Sequence, residues 1–195
     1  MKHYFTKKPE IPLRFRELQG IIRGKELVFT TGTGVFAKKR LDKGGLLLAN
    51  ESIIKKGWKV LDLGCGYGMV GIAIAKALPS AEVILVDINE RAVNLARNNA
   101  KRNQVKITVK QSDVLSNVKE TFDTILLNPP VKAGNELCFR MIEESKNNLK
   151  KNGLLQVVAR HRRGGKAFRT YMEEVFGNVE TLARGSGFQV YVSKK

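Results

Sequence analysis

The 195-residue chain has no apolar run approaching the roughly 18 residues of a membrane-spanning helix, which excludes a helical membrane protein. Its first residues, Met1-Lys2-His3-Tyr4-Phe5, lack the long apolar core of a secretory signal, so none is expected. Cysteine is scarce. Cys65 and Cys138 are the two present, without metal-ligand spacing, which argues against a disulfide scaffold and fits a reducing cytoplasm. The two histidines, His3 and His161, are far apart in sequence, and no metal site is expected. Acidic residues are also in short supply: 18 Asp and Glu face 35 Lys and Arg, giving a formal charge of +17 and a pI near 10.1.

That imbalance is uneven. Residues 1–60 carry a net +9, residues 61–130 a net +1 and residues 131–195 a net +7. Basic flanks around a neutral middle suit a polyanion bound beside a central site, and RNA is the partner expected. The remaining composition, 43% hydrophobic and 27% charged, is that of an ordinary globular protein.

The stretch from Lys59 to Gly71 organises the chain. Val60–Leu63 is an apolar run suited to a strand buried on both faces. Gly64, Gly66 and Gly68 follow, and then a helical pattern closed by Pro79 and Ser80. Strand, glycine loop and helix in this order make a ligand site, because bare backbone lets a ligand lie directly on the chain. Asp62 sits near the carboxyl end of the strand, where open α/β sheets bind ligands. Gly66-x-Gly68-x-x-Gly71 also matches the dinucleotide fingerprint, but that match alone is weak.

Alternating strands and helices continue from there. Strands are expected at Trp58–Asp62, Glu82–Asp87, Val105–Lys110, Phe122–Leu127 and Leu154–Ala159. Helices are expected at Met69–Leu78, from Asn89 to about Arg102, from Asn135 to Lys151 with Asn152-Gly153 as its stop, and at Lys166–Phe176. Val179–Ala183 and Phe188–Val192 read as a closing antiparallel hairpin. This is an α/β pattern with a parallel, doubly wound sheet. Residues 1–50 read instead as a small β-rich extension, with a hairpin around Gly24-Lys25 and a short helix from Leu46 to Ile54, on a core of residues 51–195.

Asp87 ends its strand 25 residues after Asp62, where a carboxylate can accept hydrogen bonds from both hydroxyls of a ribose. This placement serves adenosylmethionine and NAD equally. Ser112-Asp113 lies after the next strand. Asn128-Pro129-Pro130 ends the fourth, with Asn128 expected as its last residue; neither proline has an N–H to continue a ladder.

Asp62-x-Gly64-x-Gly66-x-Gly68 resembles the first motif of class I S-adenosylmethionine-dependent methyltransferases. Asn128-Pro129-Pro130 resembles the fourth motif of members that modify amide or exocyclic amino nitrogen. With Gly34-Val-Phe-Ala and Leu41-Asp42-x-Gly44, the chain is similar to the small-subunit ribosomal RNA methyltransferase C-like family, in particular to its single-domain bacterial and archaeal relatives. The resemblance implies a Rossmann-like fold with a seven-stranded, mostly parallel sheet and an antiparallel last strand. It implies S-adenosylmethionine as cofactor, held by Asp62, Gly64, Cys65, Gly66, Tyr67, Gly68, Asp87, Ile88, Ser112, Asp113, Val114 and Asn128. It gives catalysis to Asn128, Pro129 and Pro130; the Asn128 carbonyl and the Pro129 backbone carbonyl each accept one N–H of a poorly nucleophilic amine and aim its lone pair at the methyl group.

The implied target is the exocyclic N2 of guanine in ribosomal or transfer RNA. Adenine N6, cytosine N4, guanine N7 and a protein glutamine are the alternatives, with a non-catalytic RNA-binding protein as the rival outside enzymes. Two departures matter: the residue after Pro-Pro is often an aromatic that sandwiches the base, and here it is Val131; and the Gln/Lys-rich segment that often follows the fifth strand in the close relatives is Arg160-His161-Arg162-Arg163 here. Lys38, Lys39 and Arg40 in the extension, and Arg162, Arg163, Lys166 and Arg169 after the fifth strand, are the expected RNA contacts.

Overall fold

A computed structural model describes residue 12, residues 14–35 and residues 40–195. The expected contacts Lys38 and Lys39 lie outside these residues, as do the side chains of Arg162 and Arg163.

The chain starts with a two-stranded antiparallel sheet, β1 (Phe15–Ile22) and β2 (Lys25–Gly32). Ile22 pairs with Lys25, so the turn is Arg23-Gly24 and not Gly24-Lys25. Both turn residues have positive φ, 50° and 70°, the geometry whose twist matches that of the flanking strands. Helix α1 (Lys43–Glu51) follows and starts three residues before the expected Leu46. Asp42 is its N-cap and accepts from the Gly45 N–H at 2.7 Å.

The core alternates β3 (Lys59–Leu63), α2 (Met69–Ala77), β4 (Glu82–Asp87), α3 (Glu90–Arg102), β5 (Thr108–Gln111), β6 (Phe122–Leu127), α4 (Asn135–Asn147), β7 (Leu149–Arg160), α5 (Lys166–Phe176), β8 (Glu180–Gly185) and β9 (Phe188–Lys194). The seven-stranded sheet has the order β5-β4-β3-β6-β7-β9-β8, and β9 runs antiparallel to both its neighbours. This is the expected Rossmann-like, mostly parallel sheet with its reversed last strand. The order turns back on itself between β3 and β6, so a crevice opens beyond their carboxyl ends.

Period-two alternation sorts the strand residues onto two cores. Val60, Leu85, Leu126, Val158 and Val190 face α1, α2 and α3. Leu61, Leu63, Ile84, Val86, Ile125, Leu127, Leu155 and Val157 face α4 and α5. The central strands are covered on both sides, which is why they read as continuous apolar runs.

Two elements differ from expectation. Helix α4 stops at Asn147, not at Lys151, and β7 begins at Leu149, which pairs with Phe122. The register shifts between Phe122 and Thr124, and Asn152 takes φ 65° there, so Asn152-Gly153 marks an irregularity within a strand, not a helix end. Strand β5 begins at Thr108, not Val105. Residues after Arg102 instead close α3: Gln104 has φ 56°, and the Val105 N–H donates to the Ala100 carbonyl at 3.0 Å.

The hairpin is tied to α3 by two asparagines one helical turn apart. Asn99 accepts from the Thr30 N–H at 2.7 Å and donates to the Thr30 carbonyl at 2.9 Å. Asn103 does the same for Val28, at 3.0 and 2.8 Å. The rise of four helical residues, about 6 Å, matches that of two strand residues, so the side chains satisfy the open edge of β2 as a neighbouring strand would.

Candidate active site

Beyond the carboxyl ends of β3, β4, β5 and β6 lies a cavity of about 720 Å3. The glycine loop forms its floor. Gly64 and Cys65 both donate to the Val86 carbonyl at 2.9 Å, which lays the loop across the end of β4. Gly68 carries φ 91°, a conformation that L side chains rarely adopt, and turns the chain into α2. A Cβ there would also come within 2.8 Å of the Ile72 side chain.

Two carboxylates brace this loop. Asp62 is buried and accepts from the Gly71 N–H in the first turn of α2 at 2.8 Å. Burial pushes its pKa up to about 7; the Gly71 hydrogen bond pulls the other way, and nearby Asp87 adds to the rise. Asp87 accepts from the Gly66 N–H through one oxygen and the Asn89 N–H through the other, both at 2.8 Å. Its carboxyl is also raised by burial, against the pull of these hydrogen bonds. Burial and the same two carboxylates push the Cys65 thiol up, and burial takes Cys138 to about 11, so neither suits a nucleophile.

Of the residues expected to hold the cofactor, Asp62, Gly64, Cys65, Gly66, Tyr67, Asp87, Ile88, Ser112, Asp113, Val114 and Asn128 line the cavity. Gly68 is not among its lining residues; it shapes the loop from beneath, against Ile72, Ala96 and Leu85. Ser112 Oγ accepts from the Asn117 N–H at 3.1 Å, and Val114 takes φ 46°. Asp113 is exposed and paired with Arg140 at 2.5 Å.

Asn128, Pro129 and Pro130 form the opposite wall. Asn128 is the first residue after β6, not its last. The Asn128 amide donates through Nδ2 to Asp42 Oδ2 at 3.0 Å. A carboxylate only accepts, so this bond sets the amide orientation, with Nδ2 toward Asp42 and the carbonyl oxygen at the other end of the group. Val131 is exposed. The aromatic on this side of the cavity is Phe188, at the start of β9, with the Arg160 guanidinium 4.9 Å from its ring centroid.

Arg40, Lys166 and Arg169 are exposed and do not line the cavity. Lys132, Arg140 and Arg160 do. Asp42 and Phe188 were also missed as site residues. The glycines after Asp42 disguised a helix N-cap, and nothing local tells that β9 starts at the cavity mouth. Among the described residues no group of three or more His, Cys, Asp and Glu could hold a metal, and no helix is long and apolar enough to cross a membrane.

The model of the methyltransferase small domain family matches residues 26–192. The Bacillus subtilis protein YbxB is 34% identical over all of this chain and 98% of its own length. Ribosomal RNA small subunit methyltransferase C of Hamiltonella defensa is 36% identical over 86% of this chain and 50% of its own length. The chain thus spans about half the length of the ribosomal RNA methyltransferases it matches. Among solved structures, a T. thermophilus 16S rRNA N2 guanine methyltransferase in complex with AdoMet and guanosine superposes with a TM-score of 0.83, at 26% identity, over 96% of this chain and 52% of that one. The chain belongs to the methyltransferase small domain family, whose cofactor is S-adenosylmethionine.

Proposed function

We propose that this protein methylates the exocyclic N2 of a guanine in RNA, with ribosomal RNA as the first candidate. The observation that supports this reading is the Asn128 amide, which lines the same cavity as the glycine loop and spends its Nδ2 on Asp42, so that its carbonyl oxygen is kept for a donor other than that carboxylate.

The floor of the cavity fits a cationic nucleoside better than a dinucleotide. Two carboxylates, the buried Asp62 and the half-buried Asp87, stand beside the loop where a pyrophosphate would have to lie. They would repel that anion, whereas a sulfonium and an ammonium are attracted. Asp87 is suited to the ribose hydroxyls, Gly64–Tyr67 to the methionine and ribose, and Ser112, Asp113 and Val114 to the adenine. S-adenosylmethionine supplies an electrophilic methyl group when bound.

What remains for the protein is to present the nitrogen. The lone pair of a base amine is delocalised into the ring. Asn128 Oδ1 and the Pro129 carbonyl each accept one N–H, which favours the pyramidal form and directs the lone pair at the methyl carbon. Phe188, braced by Arg160, offers the aromatic face that Val131 lacks, and stacks on the target base. The net charge of +17 and Lys132, Arg140 and Arg160 at the cavity support an RNA substrate over a protein one. A base in structured RNA must be flipped out to reach this depth.

Asn128→Ala tests the mechanism. Calorimetry should show S-adenosylmethionine affinity within about twofold of wild type, while labelled methyl transfer to small-subunit ribosomal RNA falls by about 100-fold or more. Wild-type turnover by this variant would refute amine positioning by Asn128.

A further inference from the structure

We propose that Asp42 reads the target base: while its Oδ2 holds the Asn128 amide, its other oxygen accepts the N1–H that guanine alone presents beside its exocyclic amine. This rests on the reading of the cavity as a site for a base amine, and it names the residue that chooses which base.

Asp42 is fixed at the head of α1. Its Oδ2 accepts from the Gly45 N–H at 2.7 Å and from Asn128 Nδ2 at 3.0 Å. The close approach is built into the backbone. A Cβ on Gly45 would come within 2.5 Å of the Met69 side chain, and one on Gly44 within 2.8 Å of the Phe188 ring. Two glycines therefore let α1 press its N-terminus against the cavity wall, and Asp42 lines that wall with Asn128, Pro129 and Phe188. A carboxylate has about four lone-pair directions. Oδ2 uses two of them within the protein. Among the described residues no hydrogen bond reaches Oδ1.

Three residues of the lining offer acceptors: the Pro129 carbonyl, which already takes the Val131 N–H at 2.9 Å and has a second lone pair, the Asn128 side-chain carbonyl and the Asp42 carboxylate. The base edge that complements them carries an amine with a second donor beside it. Guanine has this pattern, N2–H2 next to N1–H. Adenine N6 is flanked by the bare N1 and N7, and cytosine N4 by the bare N3 and a C–H. A carboxylate facing a ring-nitrogen lone pair is repelled and left without a partner, which is the kind of mismatch that discriminates strongly.

The two roles of Asp42 are coupled through one amide. If Asn128 flipped, its Nδ2 would face the target amine, donor against donor. Asp42 is thus a positioning residue for Asn128 and a specificity residue for the base.

The probes are guanosine and 2-aminopurine riboside, which keeps the amine on C2 but carries a lone pair at N1. Their binding to the full chain with S-adenosylhomocysteine is measured by ligand-observed NMR titration. Wild type should bind guanosine at least tenfold tighter. Asp42→Asn keeps a good helix cap, and its Oδ1 still accepts from Gly45 and Asn128, so its Nδ2 faces the base as a donor. That variant should narrow the ratio to near one or invert it in favour of 2-aminopurine riboside. A purely structural role would weaken both ligands together and leave the ratio where it was. Equal binding of both probes by wild type, or the wild-type ratio in Asp42→Asn, overturns the proposal. Either result would leave N2 methylation by Asn128 standing, and that is judged separately by the methylated nucleoside formed in RNA.

Discussion

Asp62 carries a charge whose cost sets a pH dependence. Its folded pKa, about 7, lies above the roughly 3.9 of an unfolded aspartate. The folded state therefore holds a proton that the unfolded state has released across about pH 4 to 7. Stability is greatest at the acid end of this window and falls as pH rises, by up to about 1.4 kcal/mol per pH unit from this group. A cationic ligand beside Asp62 reverses the preference, so S-adenosylmethionine should bind more tightly as pH rises through 7. Asp62→Asn should flatten both trends, seen by thermal unfolding and calorimetry between pH 5 and 8. Parallel wild-type and mutant curves would mean that Asp62 keeps one protonation state throughout.

At this scale the sequence was most legible where a side chain and its strand end are neighbours. Asp62, Asp87 and Asn128 could each be placed because a strand end fixes where the next residues stand. Asp42 could not, because its partners Gly45 and Asn128 belong to different elements and the second lies 86 residues away. Two glycines, poor helix formers, also hid the start of α1 and moved its expected beginning to Leu46.

Among the elements, the β1–β2 hairpin and α3 form a unit that reaches the site. Asn99 Nδ2 donates to the Tyr67 carbonyl at 2.9 Å as well as to Thr30, and Phe29 meets the Tyr67 ring edge-on at 5.6 Å. Asn99→Ala would strand the buried Tyr67 carbonyl and reopen the edge of β2. We expect a loss of about 1–3 kcal/mol, which at this chain length lowers Tm by roughly 2–4 °C per kcal/mol. A Tm equal to wild type would show that apolar packing alone docks the hairpin. Strand β4 and helix α5 matched their expected bounds because periodicity and punctuation agree there. Helix α4 did not: Lys150-Lys151 reads as helix by propensity, yet Leu149 pairs with Phe122 across the sheet, and pairing prevails.

For the whole molecule, charge is the feature that composition reveals first, and the structure adds Lys132, Arg140 and Arg160 as cations that line the cavity. Lys132 and Arg160 both line the cavity, where the proposed RNA substrate would bring phosphates around its target base. Replacing both by Ala should weaken RNA binding and reduce the log–log salt slope by about 0.7 for each phosphate of single-stranded RNA that is no longer neutralised, with S-adenosylmethionine affinity little changed. An unchanged slope would assign the RNA path to other basic residues.

The central claim, methyl transfer to the N2 of guanine, is tested most directly by the product. Purified protein is incubated with unmodified small-subunit ribosomal RNA and isotope-labelled S-adenosylmethionine, and the RNA is digested to nucleosides for mass spectrometry. The label is expected to appear as N2-methylguanosine. Label in N6-methyladenosine, N4-methylcytidine or N7-methylguanosine instead would contradict it.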